Sequence, residues 1–334
     1  MSWKITQKYH SKDLSKLSFL ITGGAGFIGS NLVQYLLDNG AGKVRILDNF
    51  SNGYHKNIAQ YSNDSRFELI EGSITDSQTC ELACEGIDYI SHQAALGSVP
   101  RSINNPLATH EANATGFLNV ITAAKNAGVK QMAYASSSSV YGDNTELPKL
   151  EDKTGNPLSP YATSKKSNEL YAGVFKKVYN FNTVGLRYFN IFGPNQSPEG
   201  PYAAVIPLYM NALLANKSGK IFGDGEQSRD FTFVENAVQA NVKAMFTEHE
   251  AVYGKVCNIA CGEKTSVKGL YEVLKNAAGA NAEPEFCPPR TGDIRDSLAS
   301  IERAQKYLDY RPEVDIKEGL EITLAWFKSN HFNA

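Results

Sequence analysis

The sequence predicts an α/β fold in which a doubly wound parallel sheet is followed by a smaller C-terminal α/β region. Short apolar runs of strand length alternate with segments of helical periodicity at least five times. This alternation is typical of parallel sheets that carry helices on both faces. The rhythm breaks at "PNQSPEGPYAAVIP", a stretch rich in Pro, Gly and Asn that predicts the start of the second region.

The elements follow one another in a regular order. The first strand is predicted in "SFLIT" and the first helix in "GFIGSNLVQYLLDNG", which ends at Gly40. Further strands are predicted in "KVRILD", "FELIEG", "DYISHQAA" and "QMAYASS", and a helix in "PLATHEANATGFLNVITAAKNAG" separates the last two. The apolar run "KVCNIAC" predicts one late return to the sheet. The tail predicts two helices joined at Pro312.

Composition excludes several classes of function. The 334 residues carry a formal charge of −2, so no broad basic surface is available for nucleic acid. No apolar stretch reaches the roughly 20 residues that cross a bilayer. Five cysteines and the absence of a signal pattern at the N-terminus predict a soluble, cytoplasmic protein. The cysteine spacings lack a histidine-rich partner segment, so we expect no metal site.

A glycine loop lies between the first strand and the first helix. "TGGAGFIGS" places Gly23, Gly26 and Gly29 where a tight turn, a close approach to pyrophosphate and helix–strand packing require them. Such a triplet is also found in ordinary loops. Asp48 decides between the two interpretations, because it ends the second strand 19 residues after Gly29. A carboxylate there binds both ribose hydroxyls and repels a 2′-phosphate, so the pattern predicts a Rossmann-type sheet that binds NAD rather than NADP.

A serine run and a Tyr-x-x-x-Lys pair indicate chemistry at the same edge of the sheet. Ser136 to Ser139 lie at the end of the fifth strand, and Tyr161 and Lys165 lie one helical turn apart. Taken singly, the run is typical of a flexible loop and the pair of a solvated helix face. Lowering a tyrosine pKa from about 10 to about 7 requires ~4 kcal/mol, which a nearby ammonium and a cationic nicotinamide could supply. Together, the features predict a phenolate base.

These motifs resemble the extended short-chain dehydrogenase/reductase family over nearly the whole chain. Within it, the sequence is similar to bacterial UDP-hexose 4-epimerases, especially the branch that prefers N-acetylated sugars. The resemblance rests on "TGGAGFIGS", "LDNFSNG", "HQAALGSVPRS", "ASSSSVYG", "YATSK", "LRYFNIFGP", "GDGEQSRDF" and "PPRTGDIRDSLAS". It implies that NAD remains bound through the cycle and that the product forms through a 4-keto sugar.

The resemblance also implies a role for individual residues. Tyr161 is the base, Lys165 binds the nicotinamide ribose, and Ser137 bonds the reacting hydroxyl. The implied cofactor contacts are Gly23, Gly26, Phe27, Ile28, Gly29, Asp48, Asn49, Ser73, Ile74, Ala94, Ala95, Asn113, Tyr161, Lys165 and Tyr188. The implied substrate contacts are Ser98, Ser137, Ser138, Ser139, Asn190, Val205, Ile221, Phe222, Arg229, Arg290, Asp293 and Ser297.

Substrate preference is expected to depend on Ser297. It matches a position beside the sugar where a tyrosine leaves room only for glucose and galactose, so a serine predicts UDP-GlcNAc and UDP-GalNAc as substrates. We expect residues 1–190, with a return near 230–262, to bind NAD, and residues 191–229 and 263–334 to bind the UDP-sugar. Relatives also imply a homodimer formed by the two long helices that begin "PLATHEANATG" and "PYATSKKSNEL".

Alternative functions remain at this point. The sugar dehydratases and decarboxylases of this scaffold carry acids where this chain has Ser138 and Ser139, which argues against both. UDP-glucuronate 4-epimerases share the serine run but have an arginine in the stretch that reads "NQSPEG" here, so they are the second interpretation. A non-catalytic NAD-binding protein on the same fold is the third, and an intact Ser137, Tyr161 and Lys165 argue against it.

Overall fold

A seven-stranded sheet forms the centre of the structure, a computed structural model that describes residues 3–199, 203–289 and 295–331. Every neighbouring pair of strands in this sheet is parallel. Apolar cores lie on both of its faces, beneath the helices. The predicted doubly wound α/β fold is confirmed.

Thirteen strands occur in the described residues, and six of them form small two-stranded sheets. In chain order they are β1 (Ser18–Thr22), β2 (Lys43–Asp48), β3 (Phe67–Glu71), β4 (Tyr89–His92), β5 (Gln131–Ser137), β6 (Thr183–Tyr188), β7 (Ile191–Phe192), β8 (Lys220–Phe222), β9 (Ser228–Arg229), β10 (Thr232–Phe233), β11 (Lys255–Ile259), β12 (Thr265–Ser266) and β13 (Glu285–Cys287).

The α-helices of the same residues alternate with the strands through the first half of the chain. They are α1 (Phe27–Asp38), α2 (Ser77–Cys84), α3 (Val99–Asn104), α4 (Pro106–His110), α5 (Gly116–Asn126), α6 (Pro160–Tyr179), α7 (Val205–Leu214), α8 (Val234–Phe246), α9 (Val267–Ala278), α10 (Glu302–Leu308) and α11 (Ile316–His331). None of them is both long enough and apolar enough to cross a membrane.

The strand order creates a crevice at one edge of the sheet. Across the sheet the order is β11-β6-β5-β4-β1-β2-β3. From β1 the chain first adds strands on one side, β2 and β3, and then adds β4 and the later strands on the other side, so the switch point lies between β1 and β4. Because all these strands are parallel, the loops that follow them meet at the same edge, and ligands of such sheets bind there. The late return predicted from "KVCNIAC" is β11, which pairs with β6.

Helix α6 has well-defined ends that follow from its sequence. The Ser159 hydroxyl accepts a hydrogen bond from the Ala162 amide at 3.1 Å, and Pro160 occupies the first helical position, where no amide hydrogen is needed. At the other end, Asn180 adopts a left-handed conformation with φ +53°. The predicted helix therefore runs for 20 residues. The other long helix is interrupted by a π turn, Glu111–Thr115, between α4 and α5.

A second core lies between α7, α9 and α11, among side chains such as Tyr209, Leu270 and Phe327. The two helices predicted for the tail are α10 and α11, and Pro312 lies between them. The N-terminal arm packs on the main body: Trp3 meets Phe233 edge to face at 5.5 Å between ring centroids. Trp3 packs against both the core beneath the central sheet and the second core, so the arm connects the two.

Candidate active site

A cavity of about 810 Å³ lies at the carboxyl edge of the central sheet. Loops that follow β1, β2, β3, β4 and β5 line it, together with the first turns of α1 and α6. Since this is the switch point of the strand order, its position agrees with the sequence-based expectation.

The glycine loop after β1 is too tight for other residues. Gly23 has φ +69°, and a β-carbon there would lie 2.7 Å from the amide nitrogen of Ala94 on the neighbouring strand connection. A β-carbon on Gly29 would lie 2.1 Å from the Gly23 carbonyl oxygen. The first turn of α1 can therefore approach the loop closely. Among the described residues no side chain caps this helix at Gly26, so its first amides point into the cavity and suit an anion.

Asp48 is held at the end of β2 by two backbone amides. Its two carboxylate oxygens accept hydrogen bonds from Ala25 and Phe50, each at 2.9 Å. The residue is buried yet lines the cavity, and each oxygen keeps a second lone pair. A fixed carboxylate that lines the same cavity as the first turn of α1 fits the adenosine ribose of NAD.

Ser137, Tyr161 and Lys165 meet at another wall of the same cavity. The Ser137 hydroxyl accepts from the Ser139 amide at 3.2 Å, and it lies close enough to Tyr161 to lower the pKa of the phenol. The buried Lys165 ammonium donates to the Ala135 carbonyl at 2.8 Å. Ser138–Tyr141 forms a short 3₁₀ turn, so the serine run is an ordered part of the wall.

The electrostatics of this wall differ from the sequence-based expectation in one respect. Burial raises the pKa of Tyr161, and only the hydrogen bond from Ser137 lowers it. The predicted lowering requires a cationic nicotinamide in addition to Lys165, whose own ammonium donates to the Ala135 carbonyl and has its pKa lowered by burial to about 8. His92 lies close by and is neutral, since burial and then the charge of Lys165 lower its pKa to about 3.

A second cavity of about 420 Å³ lies beside the first, and Asn190 lines both. Its other walls come from the segments that contain Val205, Phe222 and Arg229. Asn190 has φ +40°, and its amide donates to the Asp230 carbonyl at 3.0 Å, which fixes this junction. The two cavities together form a cleft between the sheet and the second region.

Comparison with known proteins identifies this arrangement. Residues 19–260 match the NAD dependent epimerase/dehydratase family. The chain belongs to that family. A UDP-glucose 4-epimerase of Mycolicibacterium smegmatis is 38% identical over 312 residues, which are 93% of this chain and 98% of the relative.

Two solved structures of family members are similar over almost the whole chain. One is a UDP-N-acetylglucosamine 4-epimerase from Methanobrevibacter ruminantium in complex with UDP-N-acetylmuramic acid (TM-score 0.89, 38% identity, 94% of this chain and 98% of that chain). The other is a UDP-glucuronic acid 4-epimerase mutant from Bacillus cereus with NAD and UDP-4-deoxy-4-fluoro-glucuronic acid (TM-score 0.86, 31% identity, 94% and 99%). The chain is thus an NAD-dependent enzyme of the UDP-sugar 4-epimerase group, which confirms the resemblance and the predicted cofactor.

The structure brings most of the predicted site residues together. Those that line the first cavity are Gly23, Gly26, Phe27, Ile28, Gly29, Asp48, Asn49, Ser73, Ile74, Ala94, Ala95, Ser98, Ser137, Ser138, Tyr161, Lys165, Tyr188 and Asn190. Val205, Phe222 and Arg229 line the second cavity together with Asn190. Arg290 and Asp293 lie outside the described residues.

Four predicted residues line neither cavity. Ile221 is fully buried in the second core, so its side chain serves packing rather than a ligand. Asn113 is buried behind the wall of the cavity. Its side-chain amide accepts a hydrogen bond from the backbone N–H of Leu96 and donates one to the Leu96 carbonyl. Ser139 has a buried hydroxyl without a partner among the described residues. Ser297 is half-buried, and its amide donates to the Ser228 carbonyl at 3.1 Å.

Several lining residues were missed by sequence reasoning. Asn52 and Gly53 follow β2, and Gln93 follows β4, so their place after sheet strands was a usable signal. Gln93 also accepts a hydrogen bond from the Tyr188 hydroxyl at 3.1 Å. Gln196 lies in the irregular segment after β7, where no pattern indicated a ligand contact. No cluster of three or more potential metal ligands occurs within the parts of the chain that the structure describes.

We expect Lys165→Met to raise the free energy of unfolding at neutral pH by about 1–3 kcal/mol, because it removes a buried ammonium whose pKa is lowered from 10.5 to about 8. Between these two values the unfolded chain binds more protons than the folded one, so wild-type stability rises with pH. The advantage of the variant should therefore shrink from pH 8 to 10.5. Denaturant unfolding of nucleotide-free protein measures this, and a variant less stable than wild type would contradict it.

Proposed function

We propose that the protein is an NAD-dependent 4-epimerase that interconverts UDP-GlcNAc and UDP-GalNAc, and UDP-Glc and UDP-Gal as poorer substrates, through a transient 4-keto sugar. The observation that carries this proposal is the meeting of Ser137, Tyr161 and Lys165 at one wall of a cavity that also fits NAD. A hydroxyl, a phenol and an ammonium in contact with one cavity provide a hydrogen-bond donor, a base and a ribose ligand.

The roles follow from this geometry. The Tyr161 phenolate takes the proton of the C4 hydroxyl, and Ser137, whose hydroxyl lowers the pKa of the phenol, orients that hydroxyl. Lys165 would hold the nicotinamide ribose, and Asp48 the adenosine ribose. The chemistry that NAD supplies when bound is reversible uptake of a hydride from C4, and its positive charge favours the phenolate.

A division of the chain between the two ligands is part of the proposal. Residues 1–190, with the return near 230–262, would bind NAD, and residues 191–229 and 263–334 the UDP-sugar. The first cavity is lined largely from the sheet and its loops, and the second from residues after Tyr188, which supports this division. Arg229 would neutralise the diphosphate, with Arg290 and Asp293 as further expected contacts.

Preference for N-acetylated sugars rests on two grounds. Ser297 is a small residue at the position expected beside the sugar, and room there admits an acetamido group. The similar structure from Methanobrevibacter ruminantium is a UDP-N-acetylglucosamine 4-epimerase.

UDP-glucuronate is the second candidate substrate. It is favoured by the similarity to the Bacillus cereus enzyme, whose structure holds a UDP-fluoro-glucuronic acid. Against it, residues 195–200 read "NQSPEG" and contain no arginine to bind a sugar carboxylate.

Tyr161→Phe should abolish epimerisation while folding and NAD binding are retained, because only the ionisable oxygen is removed. Purified wild type and variant are incubated with UDP-GlcNAc, UDP-Glc and UDP-GlcA without added cofactor, and the products are identified. Wild-type turnover by the variant would reject Tyr161 as the base. Products from UDP-GlcA alone would replace the first candidate with the second.

Ser297→Tyr should exclude N-acetylated sugars and spare UDP-Gal, because the larger ring fills the space of the acetamido group. Turnover of UDP-Gal by the same preparation is the internal control for folding and NAD content. Unchanged turnover of UDP-GlcNAc would remove the argument that residue 297 selects the substrate.

We also propose a homodimer that pairs the long helices. On α6, Leu170, Val174 and Val178 form an apolar stripe at four-residue spacing, with 62%, 51% and 62% of their surfaces exposed. Leu107 on the neighbouring α4 is 82% exposed. The two helices are in contact, and clustered exposed apolar side chains are typical of protein–protein interaction sites.

Val174→Glu should therefore shift the protein from dimer to monomer in sedimentation at micromolar concentration, because a charge would be buried at the contact. Val273→Glu on α9 is the matched control, since Val273 is similarly exposed at 41% but lies on the other region. A wild-type protein that sediments as a monomer would contradict the homodimer.

A further inference from the structure

Three buried polar side chains at the base of the site form a cluster that the proposed chemistry does not use, and one of them, Ser136, also lines the first cavity. Arg187 donates to both carboxylate oxygens of Glu169, each at 2.8 Å, and Ser136 donates to one of them at 2.6 Å. Ser136 and Arg187 are each 2% exposed, and the Glu169 side chain is 8% exposed. We call this cluster the carboxylate triad.

Two members of the triad lie on adjacent strands, directly before residues of the site. Ser136 of β5 is opposite Arg187 of β6, and the next pair in the register is Ser137 opposite Tyr188. Both Ser137 and Tyr188 line the first cavity. The triad therefore links β5 and β6 through hydrogen bonds at the residues that directly precede Ser137 and Tyr188.

The third member belongs to the helix that carries the base. Glu169 lies on α6 one turn after Lys165 and two turns after Tyr161, so all three share one face of the helix. This face lies against β5 and β6. Packing of an apolar helix face on a sheet is non-directional, whereas a bidentate guanidinium–carboxylate pair fixes both distance and orientation.

We propose that the carboxylate triad is a positioning device for the reaction: it fixes α6 along β5 and β6 so that the hydroxyls of Ser137 and Tyr161 stay aligned. This inference rests on the proposed function, because it concerns the same site. Ser136, Glu169 and Arg187 are positioning residues, since they act through Ser137 and Tyr161. A displacement of about 1 Å between such groups is enough to lower a rate by about 100-fold.

Ser136 is the best residue for a test. Removing Glu169 or Arg187 would leave an uncompensated buried charge, which is strongly destabilising and risks loss of the fold. Ser136→Ala removes one link and keeps the ion pair. Thr323→Val on α11 is the matched control, because it also removes a buried, hydrogen-bonded hydroxyl, one that donates to the Gly319 carbonyl at 2.6 Å in the second region.

The experiment measures kcat and KM with UDP-GlcNAc and UDP-Glc, the Tm, and the NAD content of wild type and both variants. We expect Ser136→Ala to lower kcat by about tenfold with KM changed less than about threefold, whereas Thr323→Val keeps wild-type kcat. Wild-type kcat in Ser136→Ala would overturn the proposal. So would a fall in kcat that Thr323→Val reproduces at a similar loss of Tm, since the triad would then be merely structural.

A second measurement does not depend on turnover. Phenolate absorbance is measured against pH for wild type and for Ser136→Ala. The curve of the matching protein that also carries Tyr161→Phe is subtracted from each, and the difference reports the ionisation of Tyr161. Because Ser137 lowers the pKa of the Tyr161 phenol, a loss of alignment between the two side chains in Ser136→Ala should shift this titration to higher pH, and an unchanged titration would overturn the proposal. A wild type without turnover on any UDP-sugar would refute the proposed function alone, and the titration would still decide the role of the triad.

Discussion

The contact between α6 and the carboxyl ends of β5 and β6 is the constraint on which the site depends. The strands deliver Ser137 and Tyr188, and the helix delivers Tyr161 and Lys165. None of these side chains can reach a shared ligand unless helix and strands keep a fixed relative position. The helix caps at Ser159 and Asn180 set the length of α6, but they do not set its position along the sheet.

This arrangement buries ionisable groups at a cost in the stability of the folded protein. The Lys165 ammonium is 2% exposed and its pKa is lowered by burial, so its presence in the charged form destabilises the folded protein. Burial of the Tyr161 hydroxyl likewise disfavours the phenolate that the proposed reaction needs. The site therefore holds its reactive groups in states that become favourable only when a ligand contributes charge and hydrogen bonds, as is common where stability is exchanged for activity.

The sequence predicted the strands and motif residues of the site better than the tertiary contacts that individual side chains make. The strands, the glycine loop, Asp48 and the Tyr161–Lys165 pair could be located because apolar runs and motif spacing place them at known edges of a parallel sheet. Ile221 could not be separated from Phe222, because neighbouring strand residues face opposite sides and a three-residue strand gives no period to measure. Asn113 and the partners of Ser136 depend on tertiary contacts between segments far apart in sequence, which no local pattern records.

Similar relatives carry different substrate names, which agrees with the proposed division between the two cavities. The proposed chemical groups lie on the central sheet and α6, which the family shares, whereas the second cavity is built from the irregular connection after β7 and the small sheets beyond it. Loops tolerate substitution and insertion without loss of the core, so the sugar contacts can change while the reaction is kept. At 38% identity the family resemblance therefore fixes the chemistry more firmly than the sugar.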